Sequence, residues 1–288
     1  MQTLLEKENQ AYNKISKPDF STRTGREFLA FFLQTKFKQI LAYDKKSDTP
    51  IFVQIKDDFI ARFTKRIINH PDKRILVGLC GESASGKTTI CNTIKNSTEK
   101  LNMPVEIISS DNYFNDISEL INIHGNFDAL LESGYDVDAP SNFLLKQLRE
   151  DLETLSSGVD VKTPEYLING SGVNVPKSLP AKSQKIIVVE GMASMYGEVP
   201  EVLDVKVYVD IDRNTQEKWF IERAATRNQN YENALKQLMY VREASEKYIL
   251  PKKENADIII NGTASLDYFR QILEYIHLIT NSFQSQEN

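Results

Sequence analysis

Tryptophan occurs once in this chain, at Trp219, and cysteine only twice, at Cys80 and Cys91. The two cysteines flank a glycine-rich turn, one ending an apolar strand and the other inside a helical pattern. A structural disulfide between them is not expected, and two small buried residues are the simpler reading. Histidine, at three residues, is nearly as scarce. His70, His124 and His277 are scattered, and none stands with a cysteine or an acid at metal-ligand spacing. No apolar run is long enough to cross a bilayer, and Met1 to Asn13 alternates charged and apolar residues without a secretory core. Those absences point away from a membrane and toward the cytoplasm. The formal charge of −5 offers no concentrated basic face, so nucleic acid is not expected as a partner.

What is present is an ordinary globular composition, 41% apolar and 26% charged, over 288 residues. That length holds one full α/β domain and an appendage. The first seventy or so residues read as helical. Phe28, Leu29, Phe32, Leu33, Phe37, Ile40 and Leu41 recur at steps of three and four. A second such run holds Phe52, Ile55, Phe59, Ile60, Phe63, Ile67 and Ile68, after a breaker-rich loop from Lys45 to Pro50. Both faces are expected to pack against the neighbouring domain. From Arg74 the pattern changes to short apolar strands separated by helices: Ile75 to Cys80, Val105 to Ile108, Ile186 to Val189, Val205 to Val209 and Ile258 to Ile260. Continuous apolar strands of this kind predict a Rossmann-like α/β fold, a five-stranded parallel sheet flanked by helices. The expected division is residues 1–72, a helical N-terminal extension, and residues 73–288, the α/β domain.

The pattern G-x-x-x-x-G-K-[ST] is met by Gly81, Gly86, Lys87 and Thr88, between an apolar strand and a helix-compatible stretch. The spacing has a physical reason. Successive backbone N–H groups of Gly81, Glu82, Ser83, Ala84, Ser85 and Gly86 curl around phosphate oxygens, and glycine permits the close approach. The helix that follows, through Lys87, Thr88 and Thr89, presents its positive end. Lys87 then neutralises the outer phosphates and Thr88 offers a hydroxyl to Mg²⁺, so a nucleoside triphosphate such as ATP is the expected ligand.

In an open parallel sheet, ligands gather at the carboxyl ends of the strands. Asp111 follows the second predicted strand, Glu190 the third and Asp210 the fourth. Phosphoryl transfer needs a base for the acceptor and a group to hold the metal, which suits Asp111 and Glu190. Asp210 reads as structural.

At these residues the sequence resembles uridine kinases, within the uridine kinase, phosphoribulokinase and pantothenate kinase superfamily. The resemblance rests on GESASGKTT, SSDNYF (Ser109 to Phe114), YDVDAP (Tyr135 to Pro140), TPEY (Thr163 to Tyr166), VVEG (Val188 to Gly191) and LPKKENADIII (Leu250 to Ile260), in that order. It spans roughly Arg74 to Gly262. It implies an ATP- and Mg²⁺-dependent phosphotransferase acting on a hydroxyl of a small molecule, with Asp111 as the base. It further implies that Asp138 grips ribose hydroxyls, that Tyr113 and Tyr166 line the acceptor pocket, and that Glu190 lies near the metal. Arg223 and Arg227 resemble lid arginines that reach the transferring phosphate. The helical N-terminus and EKWFIER (Glu217 to Arg223) look somewhat more like pantothenate kinases.

Two departures bear on the acceptor. Uridine kinases follow the tyrosine with a histidine that reads the pyrimidine, whereas Tyr166 here is followed by Leu167, Ile168, Asn169, Gly170 and Ser171. The loop begins Gly81-Glu82 where Gly-Gly is usual. A uridine- or cytidine-type nucleoside is the first expectation for the acceptor. The alternatives are another small alcohol, pantothenate- or sugar-like, or a non-catalytic nucleotide-binding regulator whose N-terminal helices hold a partner. A homo-oligomer is compatible with the sequence. Trp219, between apolar neighbours, reads as core, as does the stripe Leu235, Leu238, Met239 and Val241.

Overall fold

Strands that are apolar on both faces must be covered on both faces and paired at both edges, and the chain supplies each cover in turn. A computed structural model describes residues 22–70 and 73–274, with the backbone alone at Leu29. The Met1 to Asn13 start, the Asp72 boundary, His277 and the tail past Thr280 lie outside the described residues.

The strands are β1 (Phe52–Ile55), β2 (Ile75–Gly81), β3 (Val105–Ser109), β4 (Val161–Tyr166), β5 (Asn174–Ala181), β6 (Ile186–Glu190), β7 (Val205–Asp210) and β8 (Ile258–Asn261). The α-helices named here are α1 (Arg23–Asp44), α2 (Phe59–Asn69), α3 (Lys87–Lys100), α4 (Ser118–His124), α5 (Phe127–Glu132), α6 (Leu145–Ser156), α7 (Val199–Val202), α8 (Arg213–Thr226) and α9 (Tyr231–Tyr248). Residues 266–274 are also helical. Six strands form one sheet in the order β1-β8-β7-β2-β6-β3, and β4 and β5 form a separate antiparallel pair. Strands β8, β7, β2, β6 and β3 run parallel, so the expected five-stranded parallel core of a P-loop α/β fold is present.

Alternation along these strands divides the core. Ile187 and Val189 of β6 pack on one face with Leu148, Leu152 and Leu155 of α6, whose spacing of four and three puts all three on one helix side. Val188 faces the other way, with Leu79, Val207 and Val209, against Ile90 of α3 and Ile40 and Phe59 of the N-terminal helices. The N-terminal helices therefore cover a sheet face, as their apolar periodicity implied.

Two elements differ from the sequence expectation. Phe52 and Ile55 belong to a strand, not to the helical run, which begins at Phe59. β1 pairs antiparallel with β8, Phe52 opposite Ile260 and Ile55 opposite Ile258, and so covers what would be an open edge. The buried carboxylate of Asp44, at the end of α1, sets its entry by accepting from the backbone N–H groups of Ile51 and Phe52, both at 2.9 Å. The second difference is the β4–β5 hairpin around Thr163 to Tyr166, whose prolines conceal strands that have no central place in a sheet. Among the described residues no helix is long and apolar enough to cross a membrane.

Asp44→Ala leaves two N–H donors at the start of β1 without their acceptor, one of them at buried Ile51. The expected loss is about 2 kcal/mol, read as a lower urea midpoint. Asp44→Asn, which retains one carbonyl acceptor, is expected to lose less.

Candidate active site

The register of the sheet assembles the site. Glu190 ends β6 opposite Leu79 of β2 on one side and Ser109 of β3 on the other. It therefore stands between the glycine loop that follows β2 and the turn that carries Asp111 after β3. Gly191 next to it has φ +115°, and a Cβ there would lie 2.2 Å from Ser110 Oγ and 3.1 Å from Asp111 Oδ1. Only glycine lets the two acidic turns approach this closely.

The loop itself passes from β2 into α3. Gly86 is the N-cap of α3 in the left-handed region, φ +93°, and a Cβ there would lie 3.2 Å from Gly262 O and 3.4 Å from Trp219 Cζ3, so a side chain would be both strained and crowded. Lys87 Nζ donates to the carbonyl oxygens of Gly81 and Glu82, each at 2.7 Å. Burial pulls its pKa down, while Cys80, Glu190 and Asp111 nearby act in the opposite direction. The carboxylates behave in the mirrored way. Burial raises Asp111, against the charges of Lys87 and Arg223. Burial also raises Glu190, with Lys87 opposing, Asp111 adding and a hydrogen bond from Thr88 opposing.

These groups line one cavity of about 690 Å³. Of the residues singled out by sequence, Gly81, Ser83, Ala84, Ser85, Gly86, Lys87, Thr88, Thr89, Asp111, Asp138, Glu190, Arg223 and Arg227 all border it. Arg223 Nη2 donates to Ser83 Oγ at 2.8 Å, tying α8 to the loop. A second cavity of about 450 Å³ adjoins the first and shares Asp138 and Val241 with it. Its walls are α5, the segment Gly134 to Asp138 and one side of α9. Asn142 secures that segment by donating to the carbonyls of Asp136 and Val137 and accepting from Tyr135. Asp136 in turn accepts from Lys247 Nζ at 2.7 Å and from Tyr248 OH at 2.6 Å, which fastens the segment to α9.

Three expected site residues are placed elsewhere. Tyr113 is wholly buried and its hydroxyl donates to Asp151 Oδ2 at 2.8 Å, so it does not reach either cavity. Tyr166 ends β4 with its ring 5.3 Å from that of Phe114 and borders neither cavity. The carboxylate of Glu82 is buried among Arg213, Gln216 and Ser245, outside the cleft.

Trp219 corrects the sequence reading in the opposite direction. It is half-buried and borders the cleft at Gly86. Trp219, Glu222, Arg223 and Thr226 all border the cavity, and that spacing of three, one and three on α8 was the available signal. On α9, Leu238 is buried, but Met239 is 64% exposed and Val241 faces the cavities. Gln237, Tyr240, Val241, Ala244 and Lys247 form the cavity side of that helix.

Asp210 is held by Lys253 Nζ at 2.7 Å, a structural pairing. Among the described residues no group of three or more His, Cys, Asp or Glu is gathered to hold a metal.

Comparison with known proteins gives a consistent picture. The model of the Phosphoribulokinase / Uridine kinase family matches residues 76–267. Uridine-cytidine kinase B of Dictyostelium discoideum is 30% identical over 195 residues, which is 67% of this chain and 76% of that protein. Uridine kinase of Staphylococcus aureus is 32% identical over 188 residues, 64% of this chain and 86% of that protein. Among solved structures, D-glycerate 3-kinase from Cryptococcus neoformans superposes with a TM-score of 0.51 at 12% identity, over 71% of this chain and 94% of that one, a likeness of fold.

Burial raises the Asp138 carboxyl from an ordinary 3.8 to about 6, with the charges of Asp111 and Asp136 adding to it. The folded protein thus keeps a proton that the unfolded chain releases, so stability falls as pH rises through this window. Asp138→Asn removes the cost of the buried charge. Its melting temperature is expected to exceed that of the wild type above about pH 6, and the gain to fade as pH falls toward about 4. Thermal melts across this range check the sign.

Proposed function

We propose a specific reaction for this chain, which belongs to the phosphoribulokinase / uridine kinase family. In our reading it moves the γ-phosphoryl group of ATP to a hydroxyl of a neutral, multiply hydroxylated small molecule, with a pyrimidine nucleoside as the first choice. Residues 73–288 form the kinase domain in this reading, and residues 1–72 are an addition to it.

The observation that carries the reading is the junction of the two cavities at Asp138. The larger cavity has the features of a triphosphate site: a glycine loop, the N-terminus of α3, Lys87 and two arginines. The smaller offers Tyr135, Tyr240 and Phe127 for an apolar or aromatic body, and Gln237 and Asp138 for hydroxyl groups. A hydroxyl held at Asp138 lies beside Asp111, whose charge Asp138 feels directly. Asp111 takes the hydroxyl proton, and burial makes its carboxylate more basic than an exposed one. Lys87, Arg223 and Arg227 take up the charge that spreads over the phosphoryl oxygens in the transition state.

Thr88 and Glu190 suit Mg²⁺, because Thr88 in the first turn of α3 and Glu190 at the end of β6 both border the larger cavity, and Mg²⁺ binds through few protein groups plus phosphate oxygens. The ion would neutralise phosphate charge there.

Charge narrows the acceptor. The smaller cavity is bordered by Asp136, Asp138 and Glu243, and its one cation among the described residues, Lys247, already donates to Asp136. A carboxylated alcohol of the pantothenate or glycerate type would meet uncompensated negative charge. Nucleosides come first because Phe127, Tyr135 and Tyr240 offer a base an aromatic lining; uncharged sugars come second, favoured by the lack of a pyrimidine-reading histidine in the stretch after Tyr166.

Asp111→Asn is expected to lower kcat by about 10³-fold while MgATP still quenches or enhances Trp219 fluorescence. Full turnover in that variant would remove Asp111 from the mechanism. In a panel followed by ADP release, uridine or cytidine should be turned over and pantothenate and D-glycerate should not. Preferential turnover of either carboxylate would sink the acceptor assignment.

A further inference from the structure

Glu82 occupies the second position of the phosphate loop, yet its carboxylate points away from the cleft and is only 4% exposed. A charge buried this far needs compensation from more than one group. Glu82 Oε1 accepts from Arg213 Nη1 at 2.9 Å and Ser245 Oγ at 2.8 Å, and more distantly from Gln216 Nε2 at 3.4 Å. Arg213 and Gln216 lie on α8, and Ser245 on α9. One oxygen of the loop therefore draws two helices together.

The surrounding bonds reinforce that arrangement. Gln216 Nε2 also donates to Ser83 O at 3.2 Å. Arg242 of α9 donates to Gln216 Oε1 at 3.2 Å and to the carbonyl of Arg213 at 2.9 Å. Beyond this knot, α8 carries Trp219 and Arg223 to the triphosphate cleft, and α9 forms a wall of the smaller cavity. At its backbone the same Glu82 accepts from Lys87 Nζ. Glu82 thus touches the phosphate-binding ammonium at one end and both cavity-bearing helices at the other.

We propose that Glu82 is a positioning residue that couples nucleotide engagement at the loop to the arrangement of α9, the wall of the acceptor cavity. The proposal rests on the nucleotide-binding reading above. When Lys87 turns from the loop carbonyls to a phosphate, the carbonyls of Gly81 and Glu82 lose a charged donor and the peptide between them must readjust. The Glu82 side chain, held between Arg213 and Ser245, passes that readjustment to α8 and α9. A loop with glycine at this position has no side chain with which to do so.

Hydrogen–deuterium exchange of the full chain with and without MgADP tests the coupling, with Trp219 fluorescence reporting binding independently and no acceptor required. In the wild type, MgADP is expected to slow exchange across residues 237–247 by about fivefold, the scale of a modest coupling between sites. In Glu82→Ala, Trp219 still reports binding but that protection is largely lost. Glu82→Gln, which retains an oxygen acceptor for Arg213 and Ser245, should restore most of it. Should Glu82→Ala fail to fold, Ser245→Ala removes one bond of the knot and is expected to give an intermediate loss. Undiminished protection in Glu82→Ala, or in Ser245→Ala if only that variant folds, overturns the proposal. A Trp219 signal without protection in the wild type overturns the coupling alone. Neither signal nor protection in the wild type overturns the nucleotide reading and the coupling with it.

Discussion

An ammonium group drawn partly out of water needs other partners, and Lys87 is the group around which this cleft is arranged. Its Nζ rests on two carbonyls of its own loop while Glu190 and Asp111 supply negative charge nearby. Each of those partners depends on a different strand. The loop carbonyls follow β2, Glu190 ends β6, and Asp111 follows β3. Slipping β6 or β3 by one residue would turn its acid away from this side of the sheet, and slipping β2 would displace the loop itself. The parallel register, with Leu79, Glu190 and Ser109 side by side, therefore sets the geometry of the candidate site as much as the packing.

The same crowding decides what the acids can do. Asp111, Glu190 and Asp138 all experience burial, which disfavours their charged forms, and Asp111 and Glu190 are partly rescued by Lys87. Asp138 has no such cation among its influences; its neighbours Asp111 and Asp136 make ionisation harder. A group in this state is well suited to hold hydroxyls, as donor or acceptor, and poorly suited to hold an anion. The selectivity argument for a neutral acceptor and the raised Asp138 value have the same origin. That origin is the surplus of negative charge around the smaller cavity, the proposed acceptor side of the cleft.

How much of this could be read from the sequence depended on whether a residue's neighbours in the chain are also its neighbours in space. The convergence of the glycine loop, Asp111 and Glu190 on one cleft was legible because each follows or ends an apolar strand, and the parallel fold brings strand ends together. Phe52 and Ile55 were misread because a short strand followed closely by a helix can continue the helix's apolar spacing by accident. Tyr113 sits two residues beyond Asp111, but the 3-10 turn that presents Asp111 sends Tyr113 inward to Asp151. Trp219 was obscured by Phe220 and Ile221, although its spacing to Arg223 marked the face that counts. The cavity wall on α9 could not be read at all. Nothing in that segment shows which loop will face it.

Glu82 illustrates the limit most clearly, since it lies inside the most recognisable motif of the chain and has the least recognisable environment. Loop residues at this position are read by what their backbone offers a phosphate, and on that criterion any small residue would serve. A buried glutamate adds a desolvation cost to a loop whose conformation the glycines already permit. The bonds from Arg213, Gln216 and Ser245 offset that cost only if α8 and α9 are in place. The stability of the loop and the position of the two helices are thereby made conditional on each other. A loop that could fold by local rules alone has instead been made part of the tertiary structure around the proposed acceptor cavity.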